Sequence, residues 1–126
     1  MSENELAYKV IGLSIDVHAQ LGPGLLENVY KECLFYKIRK AGFHVEKEKA
    51  VPVVFEEVHL ECGYRLDIIV ENKLIIEVKS VEALNDIHLA QTLTYLRLND
   101  TKLALLINFN SLRLIDGIRR VINGEL

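Results

Sequence analysis

Lys102 to Phe109 reads KLALLINF, apolar at nearly every position instead of every second one. A strand with one wet face alternates, so a continuous run of this kind marks a strand covered on both faces. The chain must therefore layer something on either side of a sheet, and its helical patterns have to supply the layers. Ser2-Glu3-Asn4-Glu5 fits a capping box, in which the serine and the glutamate each satisfy a free backbone N–H. Leu6, Val10, Leu13, Val17 and Leu21 follow on one helical face, and Leu21-Gly22-Pro23-Gly24 breaks that helix. A second helix is expected from about Leu25 to Ala41, with Leu26, Val29, Cys33, Leu34 and Ile38 on its apolar side and Gly42 just past its end. A third, N-capped by Asp86, runs to about Asn99.

Between the second and third helices the apolar period drops to two. Phe43 to Lys49 and Val51 to Glu57 read as separate strands, Pro52 placing the latter at an edge or at a strand start. Two more lie within Gly63 to Ser80, joined through Glu71-Asn72-Lys73, and Leu112 to Ile115 and Ile118 to Ile122 read as a last, less central pair. This α-α-β-β-β-β-α-β-β order predicts one α/β domain over residues 1–126, a mixed sheet flanked by helices on both faces. The crossover through the third helix is expected to be right-handed and to set its two strands parallel.

Composition narrows the function classes. The chain has 126 residues, 50% of them hydrophobic and 26% charged, which suits a soluble globular protein with a core that needs no staples. MSENELAYKV has neither a basic n-region nor an apolar h-region, and no apolar run reaches the ~20 residues of a membrane helix, so a cytoplasmic location without membrane contact is expected. Cys33 and Cys62 form no CxxC and are expected to stay reduced. His18, His44, His59 and His88 show no HxxxH pairing, which argues against zinc, and no P-loop, GxGxxG or GxSxG is present. Net charge is −3, yet Lys31, Lys37, Arg39, Lys40, Lys47 and Lys49 crowd residues 31–50; a solvated helix face and a phosphate-tracking patch both fit.

The most informative stretch is GYRLDIIVENKLIIEVKS, Gly63 to Ser80. With a three-residue loop at Glu71-Asn72-Lys73, Asp67 falls opposite Glu77 and Arg65 opposite Lys79; a two-residue turn would shift the register by one. Leu66, Ile68 and Val70 then share a core face with Leu74, Ile76 and Val78, leaving Arg65, Asp67 and Ile69 beside Ile75, Glu77 and Lys79 on the other. Opposed carboxylates ~4.5–5.5 Å apart at Cβ repel, and a divalent cation between them reverses the sign. Lys79 would stand beside a water or a phosphate on that face. The bland alternative is the wet side of a sheet, its acids neutralised by Arg65 or Lys79.

Other residues admit two readings as well. Glu27 suits the first turn of a helix through the helix dipole, and Tyr30, one turn on, suits core packing with a wet hydroxyl. Gly24 would supply a positive φ after Pro23. Gln91 and Tyr95 share a helical face, with His88 a turn earlier.

Taken together, Gly24-x-x-Glu27-x-x-Tyr30, Asp67, Glu77-Val78-Lys79, Gln91-x-x-x-Tyr95 and LLINF resemble the small prokaryotic GxxExxY proteins, a family of the PD-(D/E)XK nuclease-like superfamily, over about Leu6 to Ile122. The resemblance implies a restriction-endonuclease-like fold with an α-β-β-β-α-β core and Mg²⁺- or Mn²⁺-dependent hydrolysis of nucleic acid, DNA ahead of RNA. It implies Asp67 and Glu77 as metal ligands with the Val78 carbonyl as a third, and Lys79 acting on the water or the phosphate charge. Glu27 would add a ligand or hold a metal-bound water. Gln91 and Tyr95 would position substrate or nucleophile, and Arg65 and His88 are further candidates for substrate contact. Leu66 stands where the superfamily name implies proline. So small and acidic a nuclease is expected to form a homodimer or to work with a partner. A catalytically silent nuclease fold kept for nucleic-acid or protein binding is the competing class.

Overall fold

The computed structural model describes residues 1–126. Helices α1 (Glu3–Leu21) and α2 (Glu27–Lys40) precede strands β1 (Val45–Phe55), β2 (Val58–Val70) and β3 (Leu74–Lys79). Helix α3 (Asp86–Leu98), strand β4 (Leu103–Asn108), a 3₁₀ turn (Leu114–Gly117) and strand β5 (Ile118–Ile122) complete the chain. The five strands lie in sequence order in one sheet. All neighbours are antiparallel except β3 and β4, which α3 connects in parallel. No helix is long and apolar enough to cross a membrane.

Two cores explain the three layers. On one face α1 and α2 press Leu6, Val10, Tyr30, Leu34 and Ile38 against Ile68, Val70, Leu74, Ile76, Leu103 and Leu105. On the other, Leu96 of α3 packs with Ile69, Ile75, Ala104 and Val121. Every residue of β4 is buried, as its continuous apolar run requires. The capping box at Ser2 and Glu5 forms with both of its hydrogen bonds, 3.0 and 3.1 Å, and Gly42 takes φ +97° past the end of α2.

Several boundaries differ from expectation, each for a local reason. The strands expected on either side of Ala50 are one continuous β1, and β2 begins at Val58. Three strands, not four, therefore precede α3. Pro52 does not divide β1 because β1 is an edge strand, where a missing N–H leaves no ladder bond unmade. Asn85, not Asp86, caps α3: its side chain accepts from His88 N at 3.0 Å while His88 Nδ1 accepts from Asn85 N at 3.2 Å. Leu114 to Gly117 forms a 3₁₀ turn where a strand was expected. Leu26 and Val29 are exposed, since α2 starts only at Glu27 and its buried stripe runs Tyr30, Leu34, Ile38.

Opposite Pro52, Glu61, Cys62 and Gly63 bulge between the pairs Val51↔Tyr64 and Val53↔Leu60. A Cβ on Gly63 would stand 2.2 Å from Val53 Cγ2 and 2.7 Å from Val53 Cβ. Gly63→Ala is therefore expected to cost about 1–3 kcal/mol in denaturant unfolding. Adding Val53→Ala should recover only part of that, because the Cβ clash persists.

Candidate active site

β2 and β3 pair from Val70↔Leu74 to Ile68↔Ile76, the register that a three-residue loop predicts, with Glu71 and Asn72 at φ 52° and 53°. The ladder then stops. Arg65 consequently does not face Lys79 across it; its ladder partner is Ala50 of β1. The pleat breaks at the same level. Glu48, facing this point from β1, takes φ 52°, and Leu66 packs with the α3-side core instead of joining Ile68 and Val70. Where the strands part, the Asp67 carboxylate reaches across and accepts from Val78 N at 2.9 Å.

Glu77 sits in that opening, only 5% exposed, and its Oε1 is buried without a hydrogen-bond partner. Burial, the neighbouring Asp67 charge and a hydrogen bond to Asp67 that only the acid form can donate push the Glu77 pKa up to about 10. No ion pair includes either acid; the lysines that do pair join Glu48, Asp16, Glu32 and Glu46. Neutralisation by Arg65 or Lys79 as salt bridges is thus not what the fold adopts. The pair is held as an uncompensated concentration of oxygen.

Around it stand groups of both signs. Tyr95 of α3 stacks on Tyr64 of β2, ring centroids 4.6 Å apart and 13° between planes. Burial raises the Tyr95 pKa, and the Glu77 and Asp67 charges raise it further, which puts its hydroxyl in the field of both acids. Lys31 of α2 bonds Glu48 at 2.9 Å. Burial alone would lower its pKa, but that bond and the nearby Asp67 charge outweigh burial and raise it. Lys79 ends β3 beside Asn108 of β4, partly exposed, and its field acts on Glu77.

The loop before α2 is tied to this end of the sheet. The buried Tyr30 hydroxyl donates to Gly22 O at 2.6 Å and accepts from Leu25 N at 3.0 Å, while Ser80 Oγ donates to Leu25 O at 2.7 Å. Gly24, at φ +95°, closes the turn. Tyr30 also stacks on Phe109 at 4.6 Å. In the G-x-x-E-x-x-Y pattern the glycine and the tyrosine are thus the clamp that sets where α2 begins, and Glu27 is its exposed first residue. Asn108 performs a similar task at β4, exchanging hydrogen bonds of 3.0 and 3.1 Å with the backbone of Val81, just after β3.

Of the residues singled out from sequence, Asp67, Glu77 and Tyr95 converge, with Lys79 at the rim. Glu27 and Gln91 stand exposed at the first turn of α2 and one turn before Tyr95. His88 commits its Nδ1 to the α3 cap, and Arg65 is exposed beside the Glu48 charge. Sequence reasoning missed Tyr64 and Lys31. Tyr64, near the start of the Gly63–Ser80 stretch, offered no charge or spacing signal, whereas Lys31, one turn beyond Glu27, could have been singled out from the basic run.

No group of three or more His, Cys, Asp or Glu side chains gathers as a metal cage. Two adjacent carboxylates with an orphaned buried oxygen nevertheless suit a hard cation such as Mg²⁺, which commonly takes one or two protein carboxylates and completes its shell with water and substrate phosphate. The donor set fits. A family model described as the PD-(D/E)XK nuclease superfamily matches residues 4–121. No curated protein and no solved structure gives a match.

Proposed function

The chain belongs to the PD-(D/E)XK nuclease superfamily, and from that premise we propose that it is a metal-dependent nuclease of the GxxExxY branch, hydrolysing phosphodiester bonds in nucleic acid, DNA ahead of RNA. One observation carries the reading: a buried glutamate with an orphaned oxygen beside a second carboxylate. A fold selected only for stability would replace it.

Asp67 and Glu77 would hold Mg²⁺ or Mn²⁺, with the Val78 carbonyl as a candidate third oxygen. When bound, such a cation polarises a phosphoryl oxygen and lowers the pKa of a water. Asp67 is oriented for this by its bond from Val78 N at 2.9 Å. Lys79 directs its ammonium to the water or to charge developing on the phosphate. Glu27, carried on the loop that Tyr30 and Ser80 fix, adds a ligand or holds a water at the rim. Tyr95 and Gln91 position the substrate, and Arg65 and His88 touch its flanks.

A catalytically silent module is the second reading, favoured by the preference of Glu77 for its proton, which weakens it as a ligand near neutral pH. Incubation with single- and double-stranded DNA and RNA in Mg²⁺ or Mn²⁺ separates the two. Cleavage abolished by EDTA and restored by excess metal is expected. Binding without cleavage in either metal would transfer the conclusion to the silent module.

A further inference from the structure

The far end of the β1–β2 hairpin has no cover. The register Val53↔Leu60 and Phe55↔Val58 sets these four side chains on one face, and Phe55, Val58 and Leu60 are 57%, 55% and 52% exposed. Two strands alone are marginal in water, and an apolar face of this kind marks a contact surface. Its charge is of one sign: Glu56, Glu57 and Glu61 lie on the arm, with no lysine or arginine from Val51 to Tyr64.

The same chain carries a surface of matching character. Between α1 and α2 runs a groove of about 290 Å³, lined by Val17, Leu21, Cys33 and Tyr36 with Glu32 and Lys37 at its rim. In the last turn of α2, Lys40 stands over the Tyr36 ring, 5.8 Å from its centroid, with Arg39 next to it on Phe35. Glu32 pairs with Lys47 and Asp16 with Lys37, so these charges cancel and the unpaired charge at this end of α2 is positive, on Arg39 and Lys40.

We infer that the acidic, apolar-faced arm of one copy seats in the α1–α2 groove of a second copy, and that the second copy returns its arm. One arm face is far smaller than the ~800 Å² per partner of a stable interface. Reciprocal exchange doubles the contact, each arm covering the groove of the other copy. Nucleic acid is disfavoured as the occupant of the arm by its three carboxylates. The inference stands apart from the acid pair, so cleavage activity and dimerisation fail or succeed separately.

The test is sedimentation velocity of the full chain at low and high salt. Dimers are expected, weakened by salt. Glu56→Lys with Glu57→Lys, or Arg39→Glu with Lys40→Glu, should each weaken the dimer by about tenfold or more, and combining the four should restore it. All are exposed positions, and circular dichroism checks the fold of each variant. Bismaleimide treatment should link Cys33 of one copy to Cys62 of the other, since one thiol lines the groove and the other lies on the arm. A monomer at every concentration, no rescue by the charge swap, or dimers joined only through Cys62 to Cys62 would each overturn the inference.

Discussion

Asp67→Asn is expected to weaken Mn²⁺ binding by about 100-fold or more and to remove metal-dependent cleavage while leaving the fold intact. The fold survives because the asparagine Oδ1 can still accept from Val78 N, the one hydrogen bond that the Asp67 carboxylate makes to the backbone. What disappears is a negative charge at the parting of β2 and β3, next to a carboxylate that is itself almost fully buried. Altering the groups that merely orient a metal ligand costs 10–100-fold in affinity or activity, and removing the charge of a ligand should cost at least as much. Thermal unfolding supplies the control. Glu77 is already neutral at pH 7, so the substitution removes no ion–ion repulsion there, and Tm without metal should stay close to that of the parent; lost activity then cannot be lost structure.

Glu77→Gln makes the second large change, and its sign is opposite for stability and for function. In the folded chain Glu77 keeps its proton up to about pH 10, against an ordinary value of 4.5. Between those values the folded state holds a proton that the unfolded state releases, so stability falls as pH rises through the window. Below pH 4.5 both states are protonated and the penalty vanishes. Glutamine has no such proton, and the variant should be more stable than the parent by on the order of 3 kcal/mol at pH 7, about 1.4 kcal/mol for each pH unit between 4.5 and 7, and about equal to it at pH 4. Urea unfolding at the two pH values measures this directly. A variant less stable at pH 7 than at pH 4, relative to the parent, would contradict it. The same substitution should abolish cation binding. Such a trade is expected of residues retained for a site and not for the fold.

The fold was legible wherever periodicity had a single physical cause. KLALLINF announced a doubly covered strand, Ser2 and Glu5 a helix start, and Glu71-Asn72-Lys73 a three-residue loop whose register is the one observed. Legibility failed where tertiary context overrode a local rule. Pro52 reads as a strand boundary until the strand is known to be an edge, and Asp86 reads as a cap until Asn85 and His88 are seen to close a box. Alternation predicted Leu66 beside Ile68 and Val70, but the β2–β3 ladder ends at Ile68, and beyond it Leu66 packs into the α3-side core.

The candidate site was legible to a similar extent. Opposed positions in a hairpin brought Asp67 to Glu77, and helical spacing linked Gln91 to Tyr95. The clamp role of Tyr30, the stacking of Tyr64 on Tyr95 and the approach of Lys31 depend on distances between elements far apart in the chain. No spacing within one element encodes those.

Calorimetric titration of Mn²⁺ into the protein, run in two buffers of different ionisation enthalpy, decides whether Asp67 and Glu77 form a cation site. The predicted result is one saturable site whose heat depends on the buffer, because a cation at the pair must displace the Glu77 proton. Both the binding and the buffer dependence should be lost in Asp67→Asn and in Glu77→Gln. Absence of saturable binding at millimolar metal, or binding that neither substitution disturbs, would contradict the account and leave the acid pair without a role in metal chemistry.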